Sequence, residues 1–167
     1  FLSESNNNTL SYNNCSSDNE DGIFLWVSNH NSIFWNQIGN DALYGVNISN
    51  GSYNSIWNNT FIGNNGATNP YGELHVQACD DGTDNWWNSS GSPHGYGNYW
   101  SDWTTPDSNM DGIIDHPYNI SGSAGAKDYY PQTTPQEPIP EFGMMPFVMI
   151  ALMTAIVIAE KTRRKKP

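Results

Sequence analysis

Asn31-Ser32-Ile33-Phe34-Trp35-Asn36-Gln37-Ile38 recurs at a fixed distance on both sides of itself. Moving back 23 residues gives Asn8-Thr9-Leu10-Ser11-Tyr12-Asn13-Asn14-Cys15, and moving forward 23 gives Asn54-Ser55-Ile56-Trp57-Asn58-Asn59-Thr60-Phe61. A second marker keeps the same step. Gly22-Ile23-Phe24-Leu25 is followed by Gly45-Val46-Asn47-Ile48 and then, after a four-residue insertion, by Gly72-Glu73-Leu74-His75-Val76. A period of this length, with Asn and Gly at fixed phases, is the signature of a solenoid in which each repeat is one coil.

Leu10, Ile33 and Ile56 fall at one phase and Cys15, Ile38 and Phe61 at another, so stacking the coils builds continuous apolar columns inside the tube. The runs are short, rich in β-branched and aromatic residues, and alternate with period two, with Ile23, Leu25 and Val27 inward and Phe24 and Trp26 outward. They predict strands, and the fold class is all-β. Asn8, Asn31 and Asn54 predict a ladder of side-chain amides from coil to coil, and Asn also tolerates the left-handed backbone of a coil corner. Residues 1–78 read as three coils, each with a strand opened by the Asn marker and another opened by the Gly marker. Gly63 to Pro70 forms a protruding turn, tolerated because loop closure costs little per added residue. Residues 79–131 break the period and concentrate aromatics, as a terminal cap covering an open solenoid end requires.

The charge is segregated. Of six basic residues, five lie at Lys161, Arg163, Arg164, Lys165 and Lys166, leaving only Lys127 against sixteen acids in residues 1–141. No basic cluster there can neutralise phosphates, which excludes nucleic acid as a partner. Asn accounts for 23 residues, and seven open Asn-x-Ser/Thr glycosylation sequons: Asn7, Asn14, Asn47, Asn50, Asn58, Asn88 and Asn119. Cys15 lies on an inward column, where a thiol behaves as a small apolar residue, and nothing in the repeat places Cys79 beside it.

The coils followed by Asp84-Asn85-Trp86-Trp87-Asn88, Gly97-Asn98-Tyr99-Trp100-Ser101-Asp102-Trp103 and Asp107-Ser108-Asn109-Met110-Asp111-Gly112-Ile113-Ile114-Asp115 resemble the parallel β-helix proteins of archaeal cell surfaces. These are NosD-like, or pectate-lyase-like, members of the carbohydrate-binding and sugar-hydrolase repeat superfamily. The resemblance spans about residues 6–131. It implies a right-handed parallel β-helix used for surface structure, adhesion or polysaccharide binding, and in some branches for polysaccharide cleavage. The copper association of the family name does not carry over, because His30, His75, His94 and His116 show no ligand spacing and four of the five Met residues lie near the C-terminus.

Residues 132–141 form a Pro-rich linker, extended and stiff. Residues 142–160 follow, uncharged from Phe142 to Ala159 and long enough for a thin crossing of a ~30 Å hydrocarbon core. The basic tail, 161–167, is a stop signal that places the C-terminus in the cytoplasm and the solenoid outside, anchored at the cell surface through one transmembrane helix. Pro140-Glu141-Phe142-Gly143 also looks like the PEF-type sorting signal that archaeosortases recognise, with the same order of motif, hydrophobic span and basic end. The chain starts at Phe1, in the middle of a repeat, so the sequence reads as the C-terminal part of a longer envelope protein.

The sharpest chemical motif is the loop from Asp107. Oxygen ligands at Asp107, Asn109, Asp111 and Asp115 surround the turn at Gly112, and the Ile113 carbonyl falls at position seven, matching the first part of a calcium loop. Position twelve is Tyr118 rather than Glu, so a further ligand must come from elsewhere, with Asp128 the candidate. A lyase site needs a Lys or Arg base beside clustered carboxylates, and no Arg precedes Arg163. A hydrolase needs paired acids across a groove, and Asp80, Asp81 and Asp84 are the only dense acidic group near the last coil. Phe24, Trp26, Trp35 and Trp57, facing outward, offer flat faces for sugar rings. The sequence thus predicts a structural, adhesive or glycan-contacting surface protein with structural calcium, its partners a surface polysaccharide or envelope proteins. The alternative is a polysaccharide-active enzyme whose catalytic coils lie upstream.

Overall fold

The computed structural model describes residues 1–89, 95–103 and 106–136. The expected membrane helix at 142–160, the tail at 161–167 and the sorting residues Pro140, Glu141 and Phe142 lie outside them. Among the described residues no helix is long and apolar enough to cross a membrane. The first coil holds β1 (Leu2–Ser3), β2 (Thr9–Ser11) and β3 (Asn14–Ser16); the second β4 (Ile23–Trp26), β5 (Ser32–Phe34) and β6 (Gln37–Gly39); the third β7 (Val46–Ser52), β8 (Ser55–Trp57) and β9 (Thr60–Ile62). Beyond them come β10 (Ala78–Thr83), β11 (Tyr99–Trp100), β12 (Tyr118–Asn119) and β13 (Lys127–Asp128).

These strands stack as a parallel β-helix. Three parallel sheets form its walls, ordered β1-β4-β7-β10, β2-β5-β8 and β3-β6-β9-β11. The register is the one the repeat predicts: Leu10 pairs with Ile33 and Ile33 with Ile56, while Cys15 pairs with Ile38 and Ile38 with Phe61. Leu25, Ile33, Ile38, Ile48, Ile56 and Phe61 are fully buried, each stabilising the tube by about 1.5–3 kcal/mol. The last column continues into the cap, where Trp100 lies flat between Phe61 and Tyr118, at centroid distances of 4.2 and 4.0 Å.

Each coil has three strands rather than two, because the Asn-marked stretch bends. Left-handed backbone recurs at Tyr12, Trp35 and Asn58, splitting that stretch into two short strands. The same conformation recurs at Glu4, Val27 and Asn50, at Asn7, His30, Tyr53 and Asp84, and at Ser17, Asn40 and Gly63. Val27 is therefore a corner residue, 38% exposed, and does not face inward after Leu25. The corner precedes the marker Asn by one residue, so Asn8, Asn31 and Asn54 are freed to hydrogen-bond along the axis. The Gly72 marker does not open a strand either: Leu74 is 88% exposed, and Val46 pairs instead with Ala78, nine residues beyond the repeat step.

Besides a short run through Asn6, Asn29 and Ser52, three side-chain ladders run along the axis toward the cap. Asn8 donates through its backbone N and its Nδ2 to Oδ1 of Asn31 at 2.8 and 3.0 Å; Asn31 does the same to Asn54, and Asn54 to Asn85. Asn13, Asn36, Asn59 and Asn98 form a second ladder. A third passes through Asp18, Asp41, Asn64 and Gln77. An amide accepts from one coil and donates to the next, so it propagates a ladder; a carboxylate only accepts, so it ends one. Each of these three does end on a buried carboxylate: Asn85 donates to Asp80, Asn98 to Asp128 and Gln77 to Asp102. An aromatic donor completes each terminus, from Trp87 Nε1 to Asp80, Trp100 Nε1 to Asp128 and the Tyr118 hydroxyl to Asp102, at 3.0, 3.0 and 3.2 Å.

Candidate functional site

Where the cap meets the second sheet, Trp86 forms a parallel bridge with Ser55. The period-two alternation then sends Trp87 inward to Asp80 and leaves Trp86 outside, 49% exposed. Across from it, β13 pairs antiparallel with β12 and alternates in the same way, with Asp128 buried and Lys127 exposed. Between these walls lies an open cleft of about 610 Å³, lined on one side by Asp84 to Asn88 and on the other by Gly125 to Lys127, Tyr129 and Tyr130. Tyr129 is 61% exposed. Lys127, the only Lys or Arg before residue 161, belongs to the same wall as Tyr129 and Tyr130, and the exposed Asp84 to the wall that carries Trp86. The cleft thus offers aromatic side chains, a cation and the Asn88 amide together, which suits a polyhydroxylated ring bearing a carboxylate, while Asn85 is committed to the ladder.

The four outward aromatics named from sequence do not converge. Phe24 packs on Phe1 at 5.4 Å, on the same sheet as Trp26, Trp35 occupies a corner, and Trp57 stacks on Phe34 at 4.7 Å on the second sheet. Sequence reading missed Trp86, Lys127 and Tyr129 as a group, because the two walls lie some forty residues apart. The signal available was the Trp86-Trp87 pair, in which a strand must turn one ring out if it turns the other in.

The loop from Asp107 is closed by its own amides. Asp107 accepts from the backbone N of Asp111 and of Gly112 at 3.1 and 2.9 Å, and Asp111 accepts from Ile113 N and Asn109 Nδ2 at 2.9 and 3.0 Å. Gly112 takes φ 87°, the left-handed turn its position demands. Donation from Ser108, with His116 nearby, holds the Asp115 carboxyl below its usual range. Asp128 does not join this loop: it is fully buried and engaged with Asn98, Trp100 and Tyr130. Nor do Asp80, Asp81 and Asp84 form a catalytic pair. Asp80 faces the core, Asp81 accepts from Ser123 N at 2.7 Å, and Asp84 sits at an exposed corner.

Of the sequons, Asn7, Asn14, Asn50 and Asn119 are exposed, Asn47 and Asn88 half-buried, and Asn58 buried in a corner. Soft metal donors are scattered. His30 stacks on Tyr53, His75 Nδ1 contacts the Asn65 carbonyl at 2.8 Å, and His94 lies outside the described residues. Met110 is 90% exposed. Cys15 and Cys79 are free thiols, and burial pushes Cys79 up to about 12, which keeps it protonated and a poor ligand. Among the described residues no three His, Cys, Asp or Glu side chains gather to hold a metal ion.

No curated protein and no solved structure matches the chain. A family model does, over residues 1–105, and its description is periplasmic copper-binding protein (NosD).

Proposed function

We propose, from the premise that this chain belongs to the NosD family, that its β-helix is an envelope scaffold whose cap cleft contacts surface polysaccharide. The observation that carries this reading is that Trp86, Tyr129 and Lys127 line one open cleft together with Asn88. Sugar rings stack their apolar faces on exposed aromatic rings, and an amide and a lysine bond the hydroxyl and carboxylate groups at the edge. Copper does not fit the described residues, since the histidines are separated and the thiols are held neutral.

In this reading the solenoid stands outside the membrane, tethered through residues 142–160, with the tail in the cytoplasm and Pro140-Glu141-Phe142 available to an archaeosortase. Calcium at the Asp107 loop would stiffen the cap rather than take part in chemistry, displacing the loop's internal amide bonds with oxygen–metal bonds. Affinity electrophoresis of the full chain in detergent through gels cast with neutral and uronate-containing polysaccharides tests the proposal. Retardation in at least one polysaccharide is expected; equal mobility in every gel and in the blank would reject glycan contact.

A further inference from the structure

The third ladder contains an inconsistency that the other two do not. At every comparable step of the ladders, the amide Nδ2 also donates backward to a carbonyl 26 residues earlier. Asn31 reaches Ser5 O, Asn36 Leu10 O, Asn54 Ser28 O, Asn59 Ile33 O and Asn64 Ile38 O, all at 2.9–3.1 Å. Asp41 holds the equivalent position in the second coil. Its Oδ1 accepts from Asp18 N at 2.9 Å and its backbone N donates to Asn64 Oδ1 at 3.2 Å, as a ladder Asn would. Its Oδ2 therefore stands where Nδ2 stands elsewhere, and the repeat step points it at the carbonyl of Cys15. That oxygen is enclosed and has no hydrogen-bond partner, and the residue is 2% exposed. Gly22 packs so closely that a methyl group there would overlap Oδ2.

An ionised carboxylate in this slot would set Oδ2, enclosed and without a hydrogen-bond partner, as one acceptor against others. A single proton on Oδ2 resolves the conflict, because a carboxylic acid has the donor and acceptor pattern of a carboxamide. We infer that Asp41 stands in the third ladder as the neutral acid, its Oδ2–H donating to the Cys15 carbonyl as the amides do at the other steps.

The surroundings agree. Burial is the largest influence on Asp41, the carboxylates of Asp18 and Asp21 add to it, and together they push the group up to about 6 against the backbone donors of Asp18 and Ser17. Cys15, the other titratable neighbour, is itself held as a neutral thiol by burial and by Asp18 and Asp41. Because the folded value lies above the unfolded one, the stabilisation from Asp41 is complete below about pH 4 and is lost as pH rises through about 6. The seam between the first two coils is thereby tighter in mildly acidic surroundings than in neutral ones.

Resonance-assigned carbon NMR of the Asp41 carboxyl, in the full chain in detergent, reads the protonation directly. A titration midpoint near 6 is expected, and a midpoint at or below the ordinary value of about 3.9 would overturn the inference. The variant Asp41→Asn supplies a permanent donor. It should melt about 4 °C or more above the natural chain at pH 7.5, with the gap narrowing at pH 5. A variant that melts at or below the natural chain at pH 7.5, or a gap that does not change with pH, would count against it.

Discussion

Trp100 Nε1 donates to Oδ2 of Asp128 at 3.0 Å, in the fully buried centre of the cap. The same carboxylate receives the backbone N and Nδ2 of Asn98 and the backbone N of Tyr130. One residue therefore ends an amide ladder, holds the indole that seals the core column and fixes the strand behind it. Truncating Asp128 to Ala leaves these buried donors unsatisfied and should destabilise the protein by about 3 kcal/mol. Asp84→Ala, at an exposed corner, should stay within about 0.5 kcal/mol. Urea unfolding of both variants checks the contrast.

Ladder chemistry makes a sharper test than ladder volume. Asn54 is fully buried and donates through Nδ2 to Asn85 and to the Ser28 carbonyl. Asn54→Asp keeps the shape but turns that donor into an acceptor, so it should destabilise by about 2 kcal/mol or more at pH 7. Protonation restores a donor. The penalty should shrink on lowering the pH to about 4, which thermal melts at both pH values measure.

The corners carry strain that can be relieved. Val27 is β-branched, exposed and held at φ 50°, a conformation that costs a residue with a Cβ about 1–2 kcal/mol. Asn accepts that conformation more readily, and it occupies the equivalent corner at Asn50. Val27→Asn should raise stability by about 1 kcal/mol in denaturant unfolding.

How far the sequence revealed this architecture follows from how strictly each feature repeats. The columns through Ile33 and Ile38 were legible because identical side-chain classes return at one step. The bend at Trp35 was not, since Trp is no turn former, and the corner is tied instead by backbone bonds from Tyr12 N to Trp35 O and from Trp35 N to Asn58 O. Gly72 misled because a glycine precedes the strand in the earlier coils, whereas Gln77 holds that position beyond the insertion. The ladder ends escaped notice for a similar reason: Asn85, Asn98 and Gln77 follow their predecessors at 31, 39 and 13 residues, where the period no longer guides the eye.

Calcium is testable at the Asp107 loop without reference to any glycan. Binding to the folded cap alone should stabilise it by about 2.7 kcal/mol at a hundredfold excess over the dissociation constant. Thermal melts of the full chain in detergent, with calcium and with chelator, should therefore differ, and Asp107→Ala with Asp111→Ala should abolish the difference. Coincident melts would leave the loop as a turn held by its own amides.

Two exposed tryptophans on different sheets provide the most direct test of the functional reading. Trp86 lines the cap cleft and is 49% exposed, while Trp26 lies outside that cleft on the first sheet and is 42% exposed. Affinity of the full chain for a polysaccharide that retards it should fall about tenfold in Trp86→Ala, the loss of roughly 1.4 kcal/mol of ring stacking. Trp26→Ala should bind as the natural chain does. Equal losses in both variants, or none in Trp86→Ala, would contradict a glycan site in the cap cleft.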